Sequence, residues 1–366
     1  MRGIVSGLLL LTVGIGSAGA NVGPPSWGGQ VAGEPLGIRD IRIDRETLVI
    51  DLRPVATSEP ARVEATYYLH NAGPSQALEL LFASGSDSVE GFEVAFNGQS
   101  VPVSPADPRE LPPSWKPPRE TPGLDDRKLE YSPGVRSHGP ISPVQFALTI
   151  PPGEHTLRVR YRAEMGTNYL GFPTVYRQFA YVLAPARSWA GFGQLDVTVA
   201  LPAGWSVVTH PELTRDGDIL RGTFEGVPAD SLAITLQAQP GPAYDRLVSI
   251  TRTAFWATIL SSLLLAVVLG RWAGRRTAAV QYSRPPRIWP IALISGVIGG
   301  IAFGIAGWFK VYGAESALPV NEISHSGYGQ LFEFLAYGFL APGVAVAGFL
   351  VTYIRGVLSA QRNSDR

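Results

Sequence analysis

The chain has 366 residues, with 30 basic and 30 acidic side chains and no cysteine. The lack of thiols excludes disulfide bonds, thiolate metal sites and a cysteine nucleophile. Residues 21–252 carry 20 basic and 26 acidic residues, a net charge of −6. That balance argues against a nucleic-acid partner, because phosphate binding needs a clustered basic face.

The N-terminus has the order of residues found in secretory signal peptides. Arg2 precedes an apolar run of about 12 residues, and the small residues Ala18 and Ala20 follow it. The run is shorter than the ~20 residues needed to span a bilayer, so we predict a signal peptide at 1–20. Residues 21–37 are rich in Gly and Pro and are expected to form a flexible arm.

Residues 38–245 contain many short segments in which apolar and polar residues alternate. This period of two is typical of strands with one buried and one solvated face. The clearest segments are Thr47–Leu52, Val63–Leu69, Phe146–Ile150, Leu157–Tyr161, Phe179–Leu183, Leu195–Leu201 and Leu232–Leu236. Asn97-Gly98 predicts a hairpin, because a type I′ turn needs positive φ at both central residues. We therefore predict an all-β exported domain, an Ig-like antiparallel β-sandwich of about eight to ten strands.

One segment of this domain departs from the strand pattern. Residues 102–143 contain 11 prolines and scattered charges, without hydrophobic periodicity. The segment is too long for an ordinary loop in a compact domain. Two alternatives are open: it is disordered or loosely packed on the surface, or it serves as a binding segment or lid.

The sequence contains none of the common catalytic or metal-binding motifs. It has no H-E-x-x-H, G-x-S-x-G, Walker or EF-hand pattern, and its five histidines are scattered. Two acid pairs, Asp125-Asp126 and Asp216 with Asp218, could in principle serve glycoside hydrolysis, which needs carboxylates ~5–9.5 Å apart. Asp216-Gly217-Asp218 is more typical of a hairpin turn. We expect no cofactor and no metal, and we favour a non-enzymatic role.

Aromatic residues offer candidate partner-binding positions. Exposed Trp and Phe side chains could stack on glycan rings or anchor a protein partner, although core packing is the competing interpretation. Trp189 and Phe192 are candidates because Gly191 lies between them and Gly193 follows, so that the backbone can bring both rings to the surface. Trp115 is a third candidate and lies in the Pro-rich insertion.

Three apolar stretches follow the β-rich part. Residues 254–270, 288–309 and 331–354 are each long enough to cross a bilayer, and aromatic residues mark their ends. These stretches predict a region of three transmembrane helices.

The distribution of arginines predicts the orientation. The linker 271–287 carries five arginines and no acid, and the tail 355–366 adds three, whereas the loop 310–330 has one lysine and two glutamates. Positive residues are retained in the cytoplasm. The linker and tail are therefore expected inside, and the loop 310–330 and the β domain outside.

Small residues in the second apolar stretch predict helix packing. Gly296, Gly300 and Gly304 recur every four residues, a spacing that lets two helices approach closely. The partner could be another helix of the chain or a second copy in a homo-oligomer.

These observations lead to a hypothesis and two alternatives. The first is a non-enzymatic binding or assembly module of the bacterial cell envelope, with its N-terminal domain periplasmic or extracellular and its C-terminus cytoplasmic. We expect its partners to be the lipid bilayer, a protein and an envelope glycan. We expect no nucleic-acid partner. The alternatives are an envelope enzyme acting on glycan through loop carboxylates, and an accessory subunit of a membrane complex recognised through its Gly-rich helices.

Overall fold

The computed structural model describes residues 22–23, 38–82, 84, 86, 89–106, 115–132 and 143–279, and in the C-terminal part 297, 301–302, 304–309, 313, 315–318, 322–323, 346–355, 357–358 and 362. The predicted signal peptide 1–20 and most of the predicted arm 21–37 lie outside these residues. The chain divides into two compact units. The β unit comprises Met1–Asn168 and Val175–Gln239, and the helical unit comprises Tyr169–Thr174 and Pro240–Arg366.

The described part of the β unit contains 18 strands. They are β1 Val22–Gly23, β2 Ile41–Asp51, β3 Ala61–Asn71, β4 Gln76–Phe82, β5 Val89–Phe96, β6 Gln99–Val101, β7 Ser104–Pro105, β8 Glu120–Pro122, β9 Lys128–Glu130, β10 Val144–Ile150, β11 Gly153–Ala163, β12 Gly166–Asn168, β13 Tyr176–Val182, β14 Phe192–Ala200, β15 Ser206–His210, β16 Thr214–Asp216, β17 Ile219–Glu225 and β18 Ser231–Gln237.

The strands form one large sheet and three small ones. The large sheet has eight strands in the order β16-β17-β14-β2-β3-β11-β5-β6. Two four-stranded sheets have the orders β1-β4-β10-β7 and β12-β13-β18-β15, and β8 pairs with β9. The large sheet is mixed, because β14 runs parallel to β2 while its other pairs are antiparallel.

The predicted antiparallel sandwich of eight to ten strands is therefore wrong. The structure has a mixed eight-stranded sheet with separate smaller sheets. Period-two alternation fails to reveal this because it reports which side chains are buried, whatever the direction of the neighbouring strand. Leu48 and Val197 are partners in the parallel pair, although about 150 residues separate them in the chain.

One continuous apolar core lies against one face of the eight-stranded sheet. The large sheet contributes buried side chains such as Leu48, Val63 and Leu157, and the two four-stranded sheets contribute others, such as Phe82 and Ile234. The alternating burial of β3, with every second residue inside, shows that a single face of this sheet packs on the core. The opposite face is left to solvent.

Several turns form where turn-favouring residues predicted them. Asn97 and Gly98 have φ of 49° and 81° and connect β5 to β6. Gly217, with φ of 62°, lies between the paired strands β16 and β17. The Asp216-Gly217-Asp218 segment is thus a hairpin turn, as predicted.

The described part of the Pro-rich insertion packs on the β unit. β8 and β9 form a hairpin, and Thr121 and Leu129 within it are each 1% exposed. The Gln178 side chain of β13 donates from Nε2 to Thr121 Oγ1 at 2.6 Å. Residues 107–114 and 133–142 of the insertion lie outside the described residues.

The helical unit is dominated by one long helix, α1, which spans Pro242–Ala279. Its stretch Pro242–Arg276 is the one helix among the described residues long and apolar enough to cross a membrane, and it contains the predicted span 254–270. The predicted region of three transmembrane helices is wrong on this finding. Within the other two predicted spans, the described residues are 297, 301–302 and 304–309, which are helical, and those of the shorter apolar helix Val346–Arg355. The remaining residues of these two spans lie outside the described part of the chain.

Within the helical unit, α1 packs against two other segments. Near its C-terminal end, Ala266 and Ala273 form a small apolar cluster with Phe349. Gly270 lies so close to Thr352 that a side chain there would collide with it. Nearer its N-terminal end, Thr251 adjoins Gly313, and the short helix Glu315–Ala317 contacts α1.

Candidate functional site

The three predicted aromatic binding residues do not form an exposed patch. Trp115 is 2% exposed and packs beside Leu81, and Trp189 is 5% exposed in the main core. Phe192, the first residue of β14, is partly buried against the same core. Partner binding through these residues stays a prediction.

The predicted helix-packing glycines fall mainly outside the described residues. Gly296 and Gly300 lie there, and Gly304 is helical. A side chain added at Gly304 would meet no described atom within 4 Å. Close helix approach at these positions therefore stays a prediction.

The two predicted acid pairs lie in turns and bond to neighbouring arginines. Asp125 forms an ion pair with Arg127 in the β8–β9 hairpin, and Asp216 accepts from Arg221 at 3.1 Å. Among the described residues, no group of three or more His, Asp or Glu side chains is placed to hold a metal ion.

The solvated face of the eight-stranded sheet has a composition typical of a binding surface. We call it the open face and define it by Arg45 and Val49 on β2, Arg62, Glu64 and Tyr68 on β3, and Arg160 on β11. Val49 and Tyr68 are 41% and 43% exposed, so two large apolar side chains lie in the open between charged ones. Tyrosine and arginine are the residue types that most often anchor protein interfaces.

A groove of about 490 Å³ runs across the open face. Its lining combines arginines with carboxylates. The lining residues are Val49, Asp51, Arg62, Val63, Glu64, Gly91, Glu93, Arg160, Tyr161 and Arg162. The three arginines and three acids among them leave the groove without net charge.

Hydrogen bonds hold the charged side chains of the groove in place. Arg160 Nε donates to Glu64 Oε2 at 2.7 Å, and Arg53 Nε donates to Asp51 Oδ1 at 2.8 Å. The hydrogen bond from Arg53 is the main reason that the pKa of Asp51 lies below its usual value. Asp51 is therefore an ionised acceptor at neutral pH, unlike a general acid, which needs a raised pKa.

Arg62 occupies a distinctive position in the groove. It is the cross-strand partner of Asp51 on β2 and of Arg162 on β11. Directly opposed like charges destabilise a sheet, and a nearby opposite charge relieves the repulsion. Asp51 offers that charge on the β2 side, and Glu90 offers it on the other side, where it forms an ion pair with Arg162 at 3.2 Å.

A second group of polar side chains on the open face lies beside Tyr68. The Arg45 guanidinium lies 5.9 Å from the centre of the Tyr68 ring and donates to Asp196 at 2.6 Å. Partial burial alone would raise the pKa of Asp196, but hydrogen bonds from Gln194, Thr223 and Arg45 lower it. Asp196 thus fixes the position of Arg45 by a hydrogen bond, and the Arg45 guanidinium makes a cation–π contact with the ring of Tyr68.

Directly beneath the open face, the core contains a buried carboxyl, that of Glu46. Glu46 is 0% exposed, and Tyr181 Oη donates to its Oε1 at 2.9 Å. Tyr67 Oη lies 2.8 Å from Tyr181 Oη. Burial raises the pKa of Glu46 to about 7, although the hydrogen bonds from Tyr181 and Tyr67 act in the opposite direction.

A β-bulge turns Glu46 inward. Ile41 and Ile43 are buried, and then the register between β2 and β3 shifts between Ile43 and Arg45. The extra residue, Asp44, reverses the alternation, so that Glu46 and Leu48 face the core. Sequence reasoning missed Glu46, although the switch from odd-numbered to even-numbered apolar positions in β2 was a signal that could have revealed the bulge.

Comparisons with known proteins identify no family. No protein-family model matches the chain, and no curated protein matches it. Among solved structures, native leukotriene A4 hydrolase from Saccharomyces cerevisiae matches with a TM-score of 0.33 and 14% identity, over 56% of this chain and 30% of that chain. A second structure of the native yeast hydrolase matches over the same shares at 15% identity and a TM-score of 0.33. The chain thus spans less than a third of that protein, and a likeness at this level carries no argument about function.

Proposed function

We propose that the chain is a membrane-anchored binding protein in which α1 is the anchor and the open face binds a protein partner. The observation that carries the binding role is the exposure of Val49 and Tyr68 at 41% and 43% on a sheet whose other face forms the core. An aromatic ring placed among ordered arginines has the make-up of an interface centre.

The chemistry of the groove favours a protein over a small molecule. Sites for small ligands are lined mainly by apolar side chains with few polar groups, whereas three arginines and three carboxylates line this groove. A fixed arrangement of charges of both signs is suited to setting the register of a polypeptide with the complementary pattern. Glycan hydrolysis in this groove is disfavoured, because Glu64 and Asp51 both form ion pairs with arginines.

The anchoring role is supported by the surface of α1. Large apolar side chains point outward along it, including Leu260 and Leu264 at 66% exposure and Val268 at 54%. Covering such a surface with lipid removes it from water at no cost in polar groups. Arg271, Arg275 and Arg276 follow the apolar stretch. By the positive-inside rule, this end of α1 lies in the cytoplasm and the β unit lies on the extracytoplasmic side of the cytoplasmic membrane.

Site-specific photo-crosslinking tests the binding role in the cells that produce the chain. A photoreactive phenylalanine analogue replaces Tyr68 in the full-length chain, and the matched control carries it at Val103, which is 38% exposed outside the open face. We expect a discrete crosslinked protein from position 68 and none from position 103. Adding Arg62→Ala should weaken the adduct at position 68. Equal crosslinking at both positions, or none at position 68, would overturn the binding role.

Protease protection tests the anchor and its orientation independently. Protease added to intact spheroplasts should digest the β unit and spare the arginine-rich end of α1, and carbonate should not extract the full chain from membranes. Survival of the β unit until lysis would contradict the orientation. Release of the chain by carbonate would contradict the anchor.

A further inference from the structure

The loop between β12 and β13 exposes three large apolar side chains. Tyr169, Leu170 and Phe172 are 59%, 66% and 66% exposed. The six residues 169–174 contain no charged side chain. Exposed apolar side chains scattered singly are ordinary, but three on one short loop mark an interaction site.

This loop belongs to the helical unit, although the strands on either side of it belong to the β unit. Thr174, which is fully buried, forms an antiparallel β-bridge with Ile323. The backbone of the loop is thereby fixed to the segment that follows α1 in the chain.

Another part of this segment contacts α1. Glu315–Ala317 contacts α1, and a side chain at Gly313 would lie 3.1 Å from Thr251 Cγ2. Ile323 follows Leu318 by five residues, which span at most about 18 Å of chain. The loop is therefore connected, through this segment, to the part of α1 around Thr251.

That part of α1 immediately precedes the apolar stretch. The predicted span starts at residue 254, and Trp256 is 58% exposed on its first turn. Aromatic side chains at the ends of a span lie at the level of the lipid headgroups. The arginines at 271–276 mark the opposite end of the stretch.

We propose that residues 169–174 form a second membrane contact, inserting Leu170 and Phe172 into the headgroup region of the leaflet on the β-unit side. Lipid fits this loop because aromatic and leucine side chains without charge favour the interface between water and hydrocarbon. The loop joins two strands of the β unit, so its insertion tethers that unit to the bilayer at a second point. This inference rests on the proposed anchoring by α1.

The absence of cysteine makes a direct test possible. Single cysteines replace Phe172, Leu264 or Val103 in the full-length chain and are labelled with an environment-sensitive fluorophore. The three proteins are reconstituted into vesicles of phosphatidylcholine and phosphatidylglycerol, with or without nitroxide-labelled lipid. Leu264→Cys reports on the anchor, and Val103→Cys is the water-exposed control on the β unit.

The expected result is a blue-shifted emission from the label at position 172 and loss of most of that emission when nitroxide lipid is present. The label at position 264 should be quenched as well, and the label at position 103 should be unaffected. Quenching at 264 with a response at 172 equal to that at 103 would overturn the loop contact and leave the anchor intact. Quenching at 172 without quenching at 264 would overturn the anchor and leave the loop as the membrane contact. Leu170→Cys repeats the measurement two residues away and must agree with Phe172→Cys.

Discussion

Glu46 and Tyr181 connect two sheets through one hydrogen bond of 2.9 Å, with the carboxyl on the eight-stranded sheet and the hydroxyl on a four-stranded sheet. Both side chains are fully buried, so the bond is screened little by solvent. A carboxyl in such a place is stable chiefly in its protonated form, because removing an ionised group from water is costly. The core of the β unit therefore holds a titratable proton.

Replacing Glu46 with glutamine should abolish a pH dependence of stability. Burial raises the pKa of Glu46 to about 7 from an ordinary value of 4.5, so the folded chain keeps a proton that the unfolded chain releases between these values. The stability from this proton is complete below pH 4.5 and is lost as pH rises through 7, by about 3 kcal/mol in all. Between pH 4 and pH 8, the free energy of unfolding of Glu46→Gln should therefore rise by about 3 kcal/mol relative to that of the native chain. Urea unfolding followed by tryptophan fluorescence measures this difference.

Glu64→Gln is the matched control for this change, because Glu64 lies on the open face in an ion pair with Arg160. It should not gain stability relative to the native chain as pH rises. A parallel pH dependence for native chain and Glu46→Gln would show that the carboxyl is ionised in the folded state.

Two tyrosine substitutions should have opposite outcomes. Tyr181→Phe removes the donor to Glu46 Oε1 and the partner of Tyr67 Oη, and we expect a loss of about 1–3 kcal/mol in the free energy of unfolding. The pKa of Glu46 should also rise further, since the lost bond lowers it.

Tyr161→Phe makes the same chemical change where the hydroxyl is buried without a hydrogen-bond partner among the described residues. Its ring contacts with Phe82 and Phe92, at centroid distances of 5.5 and 5.8 Å, are retained. Removing an unsatisfied polar group should leave stability unchanged or raise it. Equal losses from both substitutions in urea unfolding would refute the distinction between them.

Local chemistry explains which features the sequence predicted. The strands around Val63–Leu69 and Leu157–Tyr161 were predicted from alternation, and both lie within paired strands of the structure. The Asn97-Gly98 turn was predicted because few other residues accept its backbone angles. Each of these features is determined within about ten residues of chain.

The features that the sequence did not reveal depend on distant contacts. The parallel pairing of β14 with β2 joins parts of the chain about 150 residues apart, and no local signal reports it. The open face could not be predicted for a related reason, since Val49, Tyr68 and Arg160 become neighbours only when β2, β3 and β11 align. Gly191 and Gly193 made the segment around Trp189 and Phe192 a predicted binding position, but the core accommodates the Trp189 ring.

One of those glycines has a structural requirement that can be tested. Gly193 stands opposite the bulge at Asp44, and an added side chain would collide with the Asp44 carbonyl oxygen. Gly193→Ala should therefore destabilise the chain by about 1–3 kcal/mol, because backbone must move to admit a methyl group. At Gly191, the nearest atom to an added side chain is Arg42 Cβ at an ordinary 3.7 Å, so Gly191→Ala should change stability little. Similar urea midpoints for the two variants would contradict the close approach at the bulge.

Arg62→Ala should separate partner binding from folding. Arg62 is exposed on the open face beside Asp51 and opposite Arg162, so its removal relieves one repulsion and loses one attraction. Stability should change by less than about 0.5 kcal/mol, as is usual for surface substitutions. Once photo-crosslinking has identified the partner, titration of that partner against detergent-solubilised protein should show about a tenfold weaker affinity, since interface arginines rank among the strongest contributors. Arg221→Ala removes another exposed arginine, which pairs with Asp216 and does not line the groove, and this variant should bind normally. If both variants bound the partner more weakly, the cause would be the change in net charge. The open face would then not be the binding surface.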